Sequence, residues 1–242
     1  MTFDLIVAAV AFIAGSIAAV AGFGIGSLLT PTFALHTGTK LAVAAVAIPH
    51  FIGTLQRYWL LRRHVDRSVL LGFGLASAGG GLAGALAHVW LASRVLEVVF
   101  AALLILASIA EFTAWMQKVR WGRTAAWMAG AVSGAFGGLV GNQGSIRSAA
   151  MLGFDVPQES FVATATAIGL FVDGARLPVY LATQWSEIVR LWPLLLAATL
   201  GVVAGTFGGA RVLGRIPRAL FRRLIAVLLM ALGVYMALVG AN

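Results

Sequence analysis

Arg147 is the side chain in this sequence best equipped to hold a ligand. It stands in the stretch GNQGSIRSAA at 141–150, surrounded by long apolar runs. A guanidinium inside a membrane segment costs roughly 3 kcal/mol unless something compensates it. Asn142, Gln143 and Ser145 bring amide and hydroxyl donors to the same stretch. Neutral donors beside a permanent positive charge suit a carboxylate, sulfite or sulfonate oxygen. An ion pair from Arg147 to Asp155 or Glu159 is the structural alternative. The stretch has a partner 119 positions earlier, GFGIGSLLTP at 22–31. Gly22, Gly24 and Gly26 recur at two-residue spacing, which makes no helical stripe and points to unwound backbone. Ser27, Thr30 and Pro31 follow at what reads as the start of a helix. The free N–H groups and positive dipole end there favour an anion.

Two further groups could move protons. Asp173 and Arg176 lie three apart and share a helix face, either as a neutralising structural pair or as a proton carrier whose ionisation controls the arginine. In the second case Arg176 also serves substrate. His50 follows Pro49, so a titratable ring coincides with a kink; a hydrogen-bonded core histidine is the alternative. His36, His50, His64 and His88 show no metal-ligand spacing, and there is no cysteine, so neither a metal nor a cofactor is expected. Ser27 with His50 or His88 as base would make an intramembrane serine hydrolase. Gly-Ile-Gly-Ser-Leu lacks the glycine that follows the nucleophile in such sites, which counts against it.

The elements that must position these residues follow from composition. With 61% hydrophobic and 10% charged residues in 242, and a mean hydropathy of +0.98, almost nothing is left to face water. The chain reads as an integral, all-α polytopic membrane protein in contact with lipid. The longest polar connection, about 56–67, is too short for a soluble domain. The net charge of +9 belongs to short loops, where it sets orientation, and implies no nucleic-acid partner. Met1 to Asp4 lack a basic leader, so the first span is expected to be retained.

Apolar segments fall at about 3–21, 25–37, 41–57, 68–90 and 95–116, then 124–141, 144–156, 159–181, 190–210 and 221–240. That is five in each of two halves, 1–117 and 118–242, within one membrane domain. The second segment of each half is too short to cross a core of about 30 Å and reads as a half-helix. At the offset of 119, Gly15, Gly22 and Arg57 align with Gly134, Gly141 and Arg176. Loop charge switches place between the halves. Arg57, Arg62, Arg63 and Arg67 follow the third segment of the first half, whereas Arg211, Arg215, Arg218, Arg222 and Arg223 precede the last segment of the second. Equivalent loops of opposite charge imply two inverted repeats. With these loops and Lys118, Arg120 and Arg123 in the cytoplasm, both termini lie outside. Gly130, Gly134 and Gly138, Gly201, Gly205 and Gly209, and Gly80 with Gly84 form stripes suited to close helix packing. Tyr58, Trp59, Trp115, Trp121, Trp185 and Trp192 fall near span ends, as an interfacial belt requires.

The two Gly-rich stretches resemble the duplicated motifs of the TauE/SafE family of anion permeases, also called the sulfite exporter family, and the likeness spans both halves. That family's usual form is Gly-x-Gly-Gly-Gly with Pro at the tenth position. The first stretch has Ile25 at a glycine position; the second has Gln143 and Ser145 for glycines and Ala150 for Pro. The resemblance implies a prokaryotic inner-membrane carrier of sulfite, sulfonates or small organic anions, with Asn142, Gln143 and Arg147 setting selectivity. The expected activity is alternating-access transport, with or without protons, and a homo-oligomer is compatible with it. An anion uniporter or channel is the alternative within the same family.

Overall fold

Burial is inverted relative to a water-soluble protein. In the computed structural model, which describes residues 2–113, 122–142, 144–151, 154, 157–213 and 218–239, leucines such as Leu5, Leu86, Leu200 and Leu238 point outward. Arg57, Arg147, Asp173 and Arg176 are enclosed. A lipid solvent favours this arrangement, because apolar side chains are at home outside and charges survive only where protein surrounds them.

The described residues form α1 (Thr2–Ala21), α2 (Ile25–Thr37), α3 (Thr39–Leu61), α4 (Arg67–Val69), α5 (Leu75–Trp90), α6 (Ser93–Thr113), α7 (Arg123–Val140), α8 (Gly144–Met151), α9 (Gln158–Arg190), α10 (Trp192–Leu213) and α11 (Arg218–Val239), and no strand. A 3-10 turn at Arg62–His64 follows α3, and a π-helical turn at Leu70–Gly74 joins α4 to α5. Phe3–Ala21, Arg67–Trp90, Ser93–Ala110 and Ser160–Arg190 are long and apolar enough to cross a membrane. Thr124–Val140, Trp192–Gly208 and Arg223–Leu238 are shorter apolar helices.

Both expected breaks are present. α1 stops at Ala21 and α2 starts at Ile25, while α7 stops at Val140 and α8 starts at Gly144. Gly22, Gly24 and Gly141 take φ of 80°, 129° and 75°, a region where a side chain would be strained. α2 folds back beside α1, bringing the His36 ring within 5.0 Å of the Phe3 ring. Its 13 residues rise only about 20 Å, so the Gly22–Gly24 break lies deep in the bundle.

The helices of the two halves interlock. α1 packs chiefly on α10, and α7 on α5; α6 packs on α11, and α3 on α9 at the centre. Small residues permit the first two contacts: Gly205 lies against the Phe12 carbonyl, and Gly134 against that of Ser77. Serine hydroxyls reinforce them, Ser16 donating to Gly205 O at 3.2 Å and Ser77 to Gly130 O at 3.0 Å. The packing around Gly209 lies outside the described residues. Of the expected aromatic belt, Trp59, Trp185 and Trp192 are exposed, and Trp115 and Trp121 lie outside the described residues.

Several boundaries differ from the sequence expectation. α3 runs on to Leu61, so Arg57 is part of a helix and is buried rather than in a charged loop. α9 continues to Arg190 through a kink at Gln184 (φ −133°, ψ 19°). The polar residues at 184–190, between the expected segments 159–181 and 190–210, are thus compatible with helix. Pro31 is the seventh residue of α2, past the turn where its missing N–H would be harmless, and it leaves the Ser27 carbonyl without its usual helical donor. The second half-helix spans eight residues, Gly144–Met151. Lys118, Arg120 and Arg215, and the side chains of Arg123, Arg211, Arg218 and Arg222, lie outside the described residues.

Candidate functional site

The two breaks meet. Gly26, in the first turn of α2, lies against the Gly141 carbonyl so closely that a Cβ there would overlap it. Next to this contact the Ser27 hydroxyl donates to Asn142 Oδ1 at 3.2 Å. Arg147, in α8, reaches across to donate from Nη2 to the Gly22 carbonyl at 3.1 Å. Residues more than 100 positions apart are thus gathered at one place, where the first turns of α2 and α8 supply unpaired backbone N–H groups.

Several donors there have no partner. Arg147 is 3% exposed, yet its Nε and Nη1 make no hydrogen bond among the described residues, and neither does the hydroxyl of Thr30, which lies beside Gly141. A buried donor left unsatisfied costs about 1–3 kcal/mol, and more when charged. Such groups in a native protein call for a ligand or water to complete them. Gln143 and the side chains of Ser145, Asp155 and Glu159 lie outside the described residues.

On the opposite wall, α3 and α9 present a charged cluster. His50 Nδ1 lies 2.7 Å from Asp173 Oδ2, with the Thr54 hydroxyl 3.4 Å from the same nitrogen. Asp173 Oδ1 accepts from Arg176 Nε at 3.0 Å and pairs with Nη2 at 2.8 Å. Arg176 Nη1 donates to the Gly137 carbonyl at 2.8 Å. The expected Asp173–Arg176 pair is therefore formed, with His50 as a third member. Each of the three guanidinium nitrogens of Arg176 has a partner, so in this conformation it holds the end of α7. The Tyr180 hydroxyl donates to Gly138 O, and His88 Nδ1 donates to Leu139 O at 2.8 Å. Three successive carbonyls at the C-terminal end of α7 are thereby satisfied from α5 and α9, which anchors the break at Gly141.

Arg57 is the residue that sequence reasoning placed wrongly. It is 4% exposed, donates from Nε to Thr166 Oγ1 at 3.0 Å, and leaves Nη1 unpartnered among the described residues. Its alignment with Arg176 was the available signal; proximity to Arg62 and Arg63 outweighed it. Those two arginines are exposed in the 3-10 turn, Arg62 lying 3.8 Å over the Trp59 ring. The Ser27 hydroxyl is engaged with Asn142, so the nucleophile–base contact of a serine hydrolase is not formed.

No curated protein and no solved structure matches the chain. A sequence model of the family described as sulfite exporter TauE/SafE matches residues 7–236. A match of that length takes in both glycine breaks and the four charged residues buried among the described ones, Arg57, Arg147, Asp173 and Arg176, and the chain therefore belongs to this family of membrane transporters.

Proposed function

We propose that the protein is a secondary carrier that moves a small oxyanion, such as sulfite, a sulfonate or a carboxylate, by alternating access across a prokaryotic inner membrane. The observation that carries this reading is Arg147: enclosed, anchored to one break, and left with N–H groups that no described residue satisfies, where two half-helices begin. Gly22, Gly24, Gly26, Ser27, Thr30 and Asn142 frame the position an anion would take, with Gln143 and Ser145 in the same motif.

Two inverted repeats fit the way the helices exchange partners. Matching α1 with α7 and α5 with α10 turns the α1–α10 contact into the α7–α5 contact, as a two-fold relation between halves requires. Rocking one repeat against the other would separate Gly26 from Gly141 and open the site to the other side. Coupling to protons would run through His50 and Asp173: a proton gained by that pair removes negative charge beside Arg176 and loosens its hold on α7.

The deciding experiment is uptake of sulfite, sulfate, sulfonates and short carboxylates by purified protein in liposomes, with and without an imposed pH gradient. Arg147→Gln is expected to lower uptake about 10- to 100-fold, because each charge-assisted hydrogen bond contributes about 1.5–3 kcal/mol. Undiminished uptake by that variant would remove Arg147 from the site. Counterflow exchange faster than net flux identifies a carrier; equal rates identify a uniporter or channel.

A further inference from the structure

Among the described residues, the anion site proposed above, on which this inference rests, holds more positive charge than a single-charged ligand neutralises. Arg57, Arg147 and Arg176 are all buried, and each is permanently cationic. Asp173 answers Arg176 by a double contact, and among the described residues no carboxylate pairs with the other two. Those two guanidiniums are also neighbours. Arg57 is tied to Thr166 of α9, and Nη1 of Arg147 lies against Gly169, one turn along the same helix, where Thr54 of α3 closes the gap. Among the described residues each of the two keeps an Nη1 donor without a partner.

Like charges enclosed side by side, each with unsatisfied N–H groups, form a stable arrangement only when something negative bridges them. The geometry points to a substrate that carries two negative charges and is held between Arg57 and Arg147, with Arg57 the residue that sets the preference for a dianion over a monoanion. A loaded site would then be close to electroneutral. A monoanion leaves one guanidinium uncompensated in a low-dielectric interior, where an unpaired charge is strongly disfavoured.

Pairs of probes alike in shape and different in charge test this on the full-length purified protein: sulfate against methanesulfonate, and malonate against its monomethyl ester. Affinity is read at fixed ionic strength from the ligand concentration that raises the thermal unfolding midpoint. The dianion of each pair should bind at least tenfold more tightly. Arg57→Gln should reduce that ratio at least tenfold while monoanion binding persists, and Arg57→Lys, which keeps the charge, should preserve it. If Arg57→Gln fails to fold, the wild-type ratio and the Lys variant still decide. Equal affinity within both pairs overturns the dianion inference and leaves the anion site intact. A ratio unchanged in Arg57→Gln, or lost in Arg57→Lys, overturns the role of Arg57. Failure of all four probes to bind overturns the anion site itself.

Discussion

His50, Asp173 and Arg176 act as one unit, because the carboxylate is shared between a titratable ring and a fixed cation. Replacing Asp173 by Asn keeps the side chain's shape and removes the group that can exchange a proton. The expected outcome is folded protein whose flux no longer responds to an imposed pH gradient; an undiminished response, measured in proteoliposomes, would exclude Asp173 from coupling. Asp173→Ala is harsher. It leaves Arg176 buried without its counter-ion and should destabilise the protein by about 3–5 kcal/mol, read from the unfolding midpoint in detergent. Which of these residues could be found beforehand depended on neighbours in sequence. Arg147 stood out as the lone cation of an apolar run; Arg57 stood five residues from Arg62 and looked like one more loop charge.

Among the elements, the meeting of α2 with the end of α7 is the tightest constraint. A methyl group at Gly26 would press on the Gly141 carbonyl, so Gly26→Ala is expected to cost about 1–3 kcal/mol and to lower substrate affinity together with stability, whereas Gly79→Ala, which meets open space, should do neither. α4 depends on a different device. Asp66 caps it by accepting from the backbone N–H groups of Ser68 and Val69 at 2.9 Å and 3.1 Å. The Val69 N–H above all, and then the Ser68 hydroxyl, hold its carboxyl below the ordinary value of 3.8. A depressed carboxylate stabilises the fold at all pH values above its unfolded pKa and loses that contribution as pH falls through the folded one. Asp66→Ala should cost about 1 kcal/mol at neutral pH, and the difference from wild type should vanish in acid, as followed by thermal melts across pH. The half-helix α2 was legible to the residue, because Gly24 and Gly38 bound it; the end of α9 was not, because a kinked helix and a polar loop share the composition around Gln184.

For the whole molecule, the absence of cysteine in the sequence makes sidedness directly measurable. If both termini lie outside, as the loop charges imply, single cysteines at His64 and Gly122 should react with a membrane-impermeant thiol reagent only from the cytoplasmic face, and those at Ala92 and Arg190 only from the opposite face. Labelling of positions 64 and 190, which lie in equivalent loops of the two halves, from the same side would break the inverted-repeat reading. The structure already groups the 38–40 turn with the 91–93 turn, since Lys40 Nζ donates to the Val89 and Leu91 carbonyls at 2.7 Å and 3.0 Å. Those two connections therefore share a side.

Composition alone determined that this chain lives in lipid, because apolar residues at this density leave no surface for water to wet. Local chemistry determined where the helices break, since only glycine accepts the left-handed backbone found at Gly22, Gly24 and Gly141. Which charges face one another was decided only by tertiary packing. Nothing local to His50 names Asp173, and nothing near Arg147 names the Gly22 carbonyl. Those encounters depend on α3 lying along α9 and on α8 reaching back to the first break, and contacts across more than 100 residues are set by how whole helices pack rather than by the identity of their neighbours in sequence.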